Sequence, residues 1–199
     1  MSSKNQNIAF CIALIASLLA CISDILLLYV PSYDYFSGSY DFYKQLNPSR
    51  MILGHYLGII CIPMQLLALP WLSSKISIEN KKEKLIISVV LFYTVLMGCI
   101  YHASCALLGA EVNALEHQYA LLFEPIALLF ITGLAVISIM ISIKIIKGIT
   151  GFKWSLGLLN PICIAIMIYL IDYITSFNMA WATVASFNLS ITIGFALKM

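Results

Sequence analysis

Residues 8–30 read IAFCIALIASLLACISDILLLYV: an unbroken apolar run with one ionisable side chain, Asp24, near its C-terminal end. A hydrocarbon layer of roughly 30 Å is crossed by about 20 apolar residues in a helix. The run is long enough to cross, and Asp24 is therefore a carboxyl group placed at membrane depth. Five further segments share this character, at about 51–73, 85–108, 119–143, 155–175 and 181–197. They are continuous apolar runs without period-two alternation, which argues against a β-barrel, and helices are the expected way to satisfy their backbones in lipid.

Composition agrees. The chain is 62% hydrophobic and only 10% charged, with mean hydropathy +0.98. A soluble domain is about half apolar and about a quarter charged. The net charge of +2 is small, and no basic patch interleaved with aromatics suggests nucleic acid. The expected fold is all-α: one integral membrane domain over residues 1–199, built as a polytopic bundle of six transmembrane helices. Nine of the eleven basic residues fall on one side of that arrangement, and only Lys44 and Arg50 on the other. Positive charge stays cytoplasmic, so both termini are expected in the cytoplasm, with a bacterial plasma (inner) membrane as the location. The opening MSSKNQNIAFCIALIASLLAC has the outline of a lipoprotein signal ending at Cys21. Because the apolar run continues to Val30, a membrane helix is the expectation instead.

With helix directions assigned, each polar residue acquires a depth. Asp24, His55, His102, Glu124, Asp172 and Asn188 all fall in the extracytoplasmic half, one on each segment. An ionisable residue inside a membrane is costly and faces the bundle interior or a watery cavity. Helical spacing groups Ala13, Ser17, Cys21 and Asp24; His55, Gly58, Cys61 and Gln65; and Gly98, Cys99, His102 and Cys105. Small residues mark close helix contact, so these stripes face protein.

Residues 101–125, YHASCALLGAEVNALEHQYALLFEP, hold two histidines and three glutamates with no lysine or arginine. Asn113 and Glu116 have the spacing of a helix cap with its reciprocal acid. His117 and Glu124 share a face two turns apart, while Glu111 and Glu116 suit solvated loop positions. The segment 31–50, PSYDYFSGSYDFYKQLNPSR, carries four tyrosines and two phenylalanines. It suits either an interfacial aromatic belt or a lid over the polar layer, with Tyr35 a candidate ligand contact.

Two chemistries fit. Asp24, His55, His102, Glu124 and Asp172 are candidate acid–base residues, because burial and proximity tune carboxyls and imidazoles for proton transfer. Tyr35, His117 and Asn188 are candidate substrate-binding residues. Zinc is the possible cofactor, with His55, His102 and His117 as ligands and a carboxylate in support. No HExxH or HxxxH spacing exists, so each ligand comes from a different segment. Ser23 points about 100° from Asp24 around the helix, which makes it a poor triad partner for its neighbour but available to another helix. The six cysteines form no CxxC pair and suit packing.

The pattern SDILLLY, LGHYLG, YHASCALLGA and EPIALL resembles a family of uncharacterised small bacterial six-helix membrane proteins, over most of the chain. The site chemistry is loosely similar to the ceramidase and adiponectin-receptor class of membrane hydrolases. That likeness implies Ser, Asp and three His around zinc within the bilayer. The class has seven helices and an HxxxH pair in the last one, which this chain lacks. The expected function is a membrane-embedded hydrolase or lipid-modifying enzyme. The alternatives are a non-enzymatic receptor or accessory protein for a small amphiphile, and a small transporter. The expected partner is membrane lipid or a small amphiphilic ligand.

Overall fold

The structure is a computed structural model that describes residues 3–30, 41–68, 80–111, 116–148 and 160–175, together with 150, 157 and 188. Among the described residues all regular structure is helical. The helices are α1 (Ser3–Leu28), α2 (Pro48–Met64), α3 (Lys81–Glu111), α4 (Glu116–Ile146) and α5 (Pro161–Thr175). A short 3-10 turn, Asp41–Gln45, precedes α2, and another, Gln65–Ala68, continues it. Four spans, in α1, in α2 together with its 3-10 continuation, in α3 and in α4, are long and apolar enough to cross a membrane. The chain therefore reads as an integral membrane protein. The expected sixth segment, 181–197, lies outside the described residues except for Asn188, which is helical and buried.

Local signals set the helix starts. Asn47 precedes Pro48, and its Oδ1 accepts a 2.9 Å bond from the Ser49 N–H. Asn160 precedes Pro161 in the same way and accepts from the Cys163 N–H at 3.0 Å. Asn80 Oδ1 accepts from Lys82 N–H at 3.0 Å at the start of α3. Each asparagine satisfies an orphan donor of the first turn, worth about 0.5–2 kcal/mol, and proline at the first helical position loses no bond. At the far end of α1, Arg50 donates to the carbonyls of Ile25 at 2.7 Å and Tyr29 at 2.5 Å. A guanidinium there satisfies open carbonyls and complements the helix dipole.

Inside α2, Pro63 has no N–H for the carbonyl of Ile59, four residues earlier. The Cys99 thiol approaches that carbonyl from α3 at 3.8 Å. The tail of α2 then tightens, with the Gln65 N–H reaching the carbonyls of Ile62 and Pro63.

Packing follows residue size. On α1, Ala13, Ala16, Ser17, Ala20, Ser23, Asp24 and Leu27 are buried, while Ile8, Ile12, Ile15, Leu18, Ile22 and Ile25 are exposed. Small residues thus face protein and branched ones face the surroundings, as expected where lipid rather than water covers the outside. The main helix contacts are α1 with α2, α2 with α3, and α3 with α4. Two close approaches hold α3 to α4. A Cβ on Gly98 would lie 2.9 Å from the Phe130 ring, and one on Gly133 would lie 2.8 Å from Thr94 Oγ1. At the α3 N-terminal end, Lys144 of α4 pairs with Glu83 at 2.6 Å.

Candidate functional site

At the opposite end of the bundle, α2 lacks side chains at two positions one turn apart, Gly54 and Gly58. The His102 ring of α3 rests in the resulting notch: a Cβ on Gly58 would lie 1.8 Å from Nε2. Across the notch stands α1. Ser23 Oγ lies 2.6 Å from the Gly54 carbonyl oxygen and 2.8 Å from His102 Nε2. Nε2 is also 3.2 Å from that carbonyl. On the other edge of the ring, Nδ1 faces Asp24 Oδ1 at 3.5 Å. Asn188 Nδ2 donates to Asp24 Oδ2 at 2.8 Å, and Gln65 Nε2 donates to Asn188 Oδ1 at 2.5 Å. Ser23, Asp24, His102, Gln65 and Asn188 are all buried.

The distances assign the protons. Two oxygens 2.6 Å apart, one of them a carbonyl, need a hydrogen between them, and only Ser23 can supply it. Ser23 therefore donates to Gly54, and Nε2 must carry the hydrogen that points at Ser23. This is the reverse of a Ser-His-Asp catalytic triad, in which Nε2 is bare and takes the serine proton. Ser23 accordingly serves as a positioning residue.

With Nε2 protonated, Nδ1 faces a carboxyl group. The Asp24 carboxyl is thus held from two sides, by the His102 ring at Oδ1 and by the Asn188 amide at Oδ2.

A small cavity, with space for about one water molecule, borders this pair. Its described lining is Asp24, His102 and Asn188 on the polar side, and Leu27, Leu28, Ile62, Gly98, Tyr101, Cys105 and Phe130 elsewhere. Tyr101 stacks on Phe130 with ring centroids 5.7 Å apart and meets Phe123 at 4.8 Å with the rings tilted by 32°. Phe42, Tyr43 and Leu46 are buried against Leu27, Leu28, Cys105 and Phe123. Leu27, Leu28 and Cys105 also line the cavity, so the Asp41–Gln45 turn packs on residues that form its apolar side. These aromatics of segment 31–50 point inward; residues 31–40, including Tyr35, lie outside the described residues.

The structure thus brings together three of the sequence-derived site residues, Asp24, His102 and Asn188. Asp172 is buried on α5, on a stripe with Ile164 and Ile168. His55 is half-buried beside Gly54, its ring set edge-on to Tyr56 at 5.3 Å, and its Nδ1 has no hydrogen-bond partner. Glu124 is exposed on the first part of α4 and does not join the network. The side chain of His117 lies outside the described residues. Among the described residues no three His, Cys, Asp or Glu side chains converge as a metal site. The donors of His102 do not fit zinc either, since Nε2 is committed to Ser23 and Gly54 and Nδ1 faces Asp24. Two contributors were not among the candidate site residues. Gln65 was legible only as a member of the protein-facing stripe with His55, Gly58 and Cys61, and the Gly54 carbonyl has no sequence signal at all.

Neither a curated protein nor a solved structure matches the chain. The model of a family of unknown function, DUF6796, matches residues 1–199, and the chain belongs to that family.

Proposed function

We propose that this protein is a membrane-embedded hydrolase or lipid-modifying enzyme whose acid–base centre is the Asp24–His102 pair. The observation that supports this reading is the placement of the pair: a carboxyl and an imidazole, oriented by Asn188 and Ser23, border a cavity whose other walls are apolar. Polar groups retained at such depth are costly, and a reaction site repays retaining them. Asp24 takes the proton of an attacking water or lipid hydroxyl as its oxygen bonds to an acyl carbon. The bond from the acyl carbon to the leaving oxygen then breaks, and that oxygen recovers the proton from Asp24, so the carboxyl ends as it began. His102, facing Asp24 Oδ1, holds the carboxyl in place through both transfers.

The membrane arrangement belongs to the same proposal. Nine basic residues on one side support cytoplasmic termini, a sixth span over 181–197 and a bacterial inner membrane. The site then opens toward the extracytoplasmic surface, under the turn Asp41–Gln45. A second reading, a binding protein for a small amphiphile, draws support from the inward packing of Phe42 and Tyr43 on Leu27, Leu28 and Cys105, which line the cavity.

The test is a lipid census. Membranes from cells producing the wild type, Asp24→Asn or His102→Gln are extracted and compared by mass spectrometry. A lipid species consumed or formed only with the wild type supports an enzyme. Identical lipid profiles, with a lipid co-purifying with the wild type alone, favour the binding protein.

A further inference from the structure

We infer that the outer groove between α3 and α4, on the side of the pair away from α2, binds an anionic phospholipid whose phosphate sits between Lys82 and Lys147. This groove begins at the opposite end of the bundle from Asp24 and His102 and is independent of the proposed activity. Three close approaches fix the register of the two helices: Glu83 with Lys144, Thr94 with Gly133, and Gly98 with Phe130. Numbers rise along α3 as they fall along α4, so the helices are antiparallel. The same register sets Lys82 level with Lys147, Ile86 with Ile143, and Tyr93 with Val136. Ile87 of α3 and Ile137 of α4 are buried in one cluster and mark the facing edges. At about 100° per residue, Lys82, Ile86 and Tyr93 lie roughly 100–140° round α3 from Ile87. Lys147, Ile143 and Val136 lie roughly 80–120° round α4 from Ile137, in the same sense. In an antiparallel pair the same sense means the same side. The thiol of Cys99 and the ring of His102 meet α2 on the other side of α3.

All six side chains are exposed. They form a strip with two ammonium groups at its end and apolar groups below. From Lys82 to Tyr93 the strip runs about 16 Å along the helix, the depth of one leaflet of a hydrocarbon layer roughly 30 Å thick. Charge selects the occupant. Segments 74–84 and 144–154 hold seven lysines against two glutamates, and Glu83 is committed to the buried Lys144. Among the described residues neither Lys82 nor Lys147 has an acidic partner. The start of α3 also carries Lys81, Lys82 and Lys84, at the helix end whose dipole favours negative charge. A phosphate at this level answers both the unpaired ammonium groups and the dipole, and acidic lipids gather at juxtamembrane lysines for that reason. The exposed isoleucines beneath take the acyl chain.

The full chain, delipidated in a neutral detergent, is titrated with phosphatidylglycerol, phosphatidylcholine and glycerol phosphate, and bound molecules are followed by native mass spectrometry. Phosphatidylglycerol should bind at least about tenfold more tightly than either of the others. A phosphatidylglycerol with a photoreactive acyl chain should cross-link to Ile86, Tyr93, Ile143 or Val136. Lys82→Gln combined with Lys147→Gln should weaken binding by about tenfold or more. Lys81→Gln combined with Lys84→Gln removes the same charge from the other flank of α3 and should weaken it by less than about threefold. Lys82→Arg with Lys147→Arg should keep the binding. Because these lysines are exposed, every variant should melt with the wild type in the absence of lipid. Equal binding of phosphatidylcholine overturns the inference. So does an equal loss in the two glutamine pairs, which would mean diffuse surface charge. Glycerol phosphate bound as tightly as the lipid would mean a site for a soluble anion and also overturns it. The cross-link map is read on the wild type and needs no variant to fold; labels confined to other helices overturn the inference as well.

Discussion

Gly58 and His102 occupy one space: the ring sits where a Gly58 side chain would be, with Nε2 only 1.8 Å from the position of a Cβ. Gly58→Ala must push the ring off α2 and break its contacts with Ser23 and Gly54. Overpacking of this kind costs about 1–3 kcal/mol. A clear fall in melting temperature in detergent is expected. An unchanged melting temperature would mean that the ring does not rest in the notch.

Ser23→Ala separates a positioning hydroxyl from a nucleophile. Without it, the Nε2 hydrogen can turn to the Gly54 carbonyl, already 3.2 Å away. The expected loss is about 1 kcal/mol, that of one net hydrogen bond, with ligand binding and turnover reduced but present. Correspondingly, a fluorophosphonate probe should not label wild-type Ser23. Covalent labelling at Ser23, detected by peptide mass spectrometry, would restore the triad reading.

Arg50 joins the start of α2 to the end of α1 through two carbonyls. Arg50→Gln removes the charge and one geometry of donors and should cost about 1–2 kcal/mol by unfolding in detergent. Arg50→Lys should recover part of it. If Gln and Lys behave alike, the fork of donors matters less than the packing of its stem.

Glu124 is exposed, whereas Asp24 is buried against His102 and Asn188. Glu124→Gln should therefore leave both thermal stability and the wild-type lipid profile unchanged. A Glu124→Gln protein that folds normally but loses activity would place this carboxyl in the reaction.

Topology is checked by labelling intact cells with a membrane-impermeant maleimide. Ser39→Cys should react above the wild-type background and Ser77→Cys should not, as the lysine asymmetry requires. The opposite pattern would turn the candidate site toward the cytoplasm.

Much of the architecture was readable from hydropathy alone, because lipid leaves a backbone few alternatives to the helix. Residues 8–30, 51–73, 85–108, 119–143 and 155–175 all contain the cores of observed helices, α1 to α5. Their boundaries moved where local chemistry outweighed hydropathy. Asn47–Pro48 and Asn160–Pro161 set the starts of α2 and α5, and Pro63 shortens regular α2 to Met64. Those Asn-Pro pairs were visible signals that an apolar-run criterion ignores.

What the sequence determined by itself was depth. A helix rises a fixed distance per residue, so Asp24, His55 and His102 had to lie near one end of the bundle once their spans were recognised. What only the tertiary structure decided was which of them meet. Position along a helix does not settle its rotation against a neighbour; side-chain volume at the contact does. Gly54 and Gly58 let α3 come close enough for His102 to reach α2 backbone, and that approach sets its ring between Ser23 and Asp24, two residues about 100° apart on α1. The same rotation leaves Glu124 exposed. The tautomer of His102, with its hydrogen on Nε2, follows from a 2.6 Å contact between Ser23 and a carbonyl, because a backbone oxygen becomes a site residue only when another helix is packed against it.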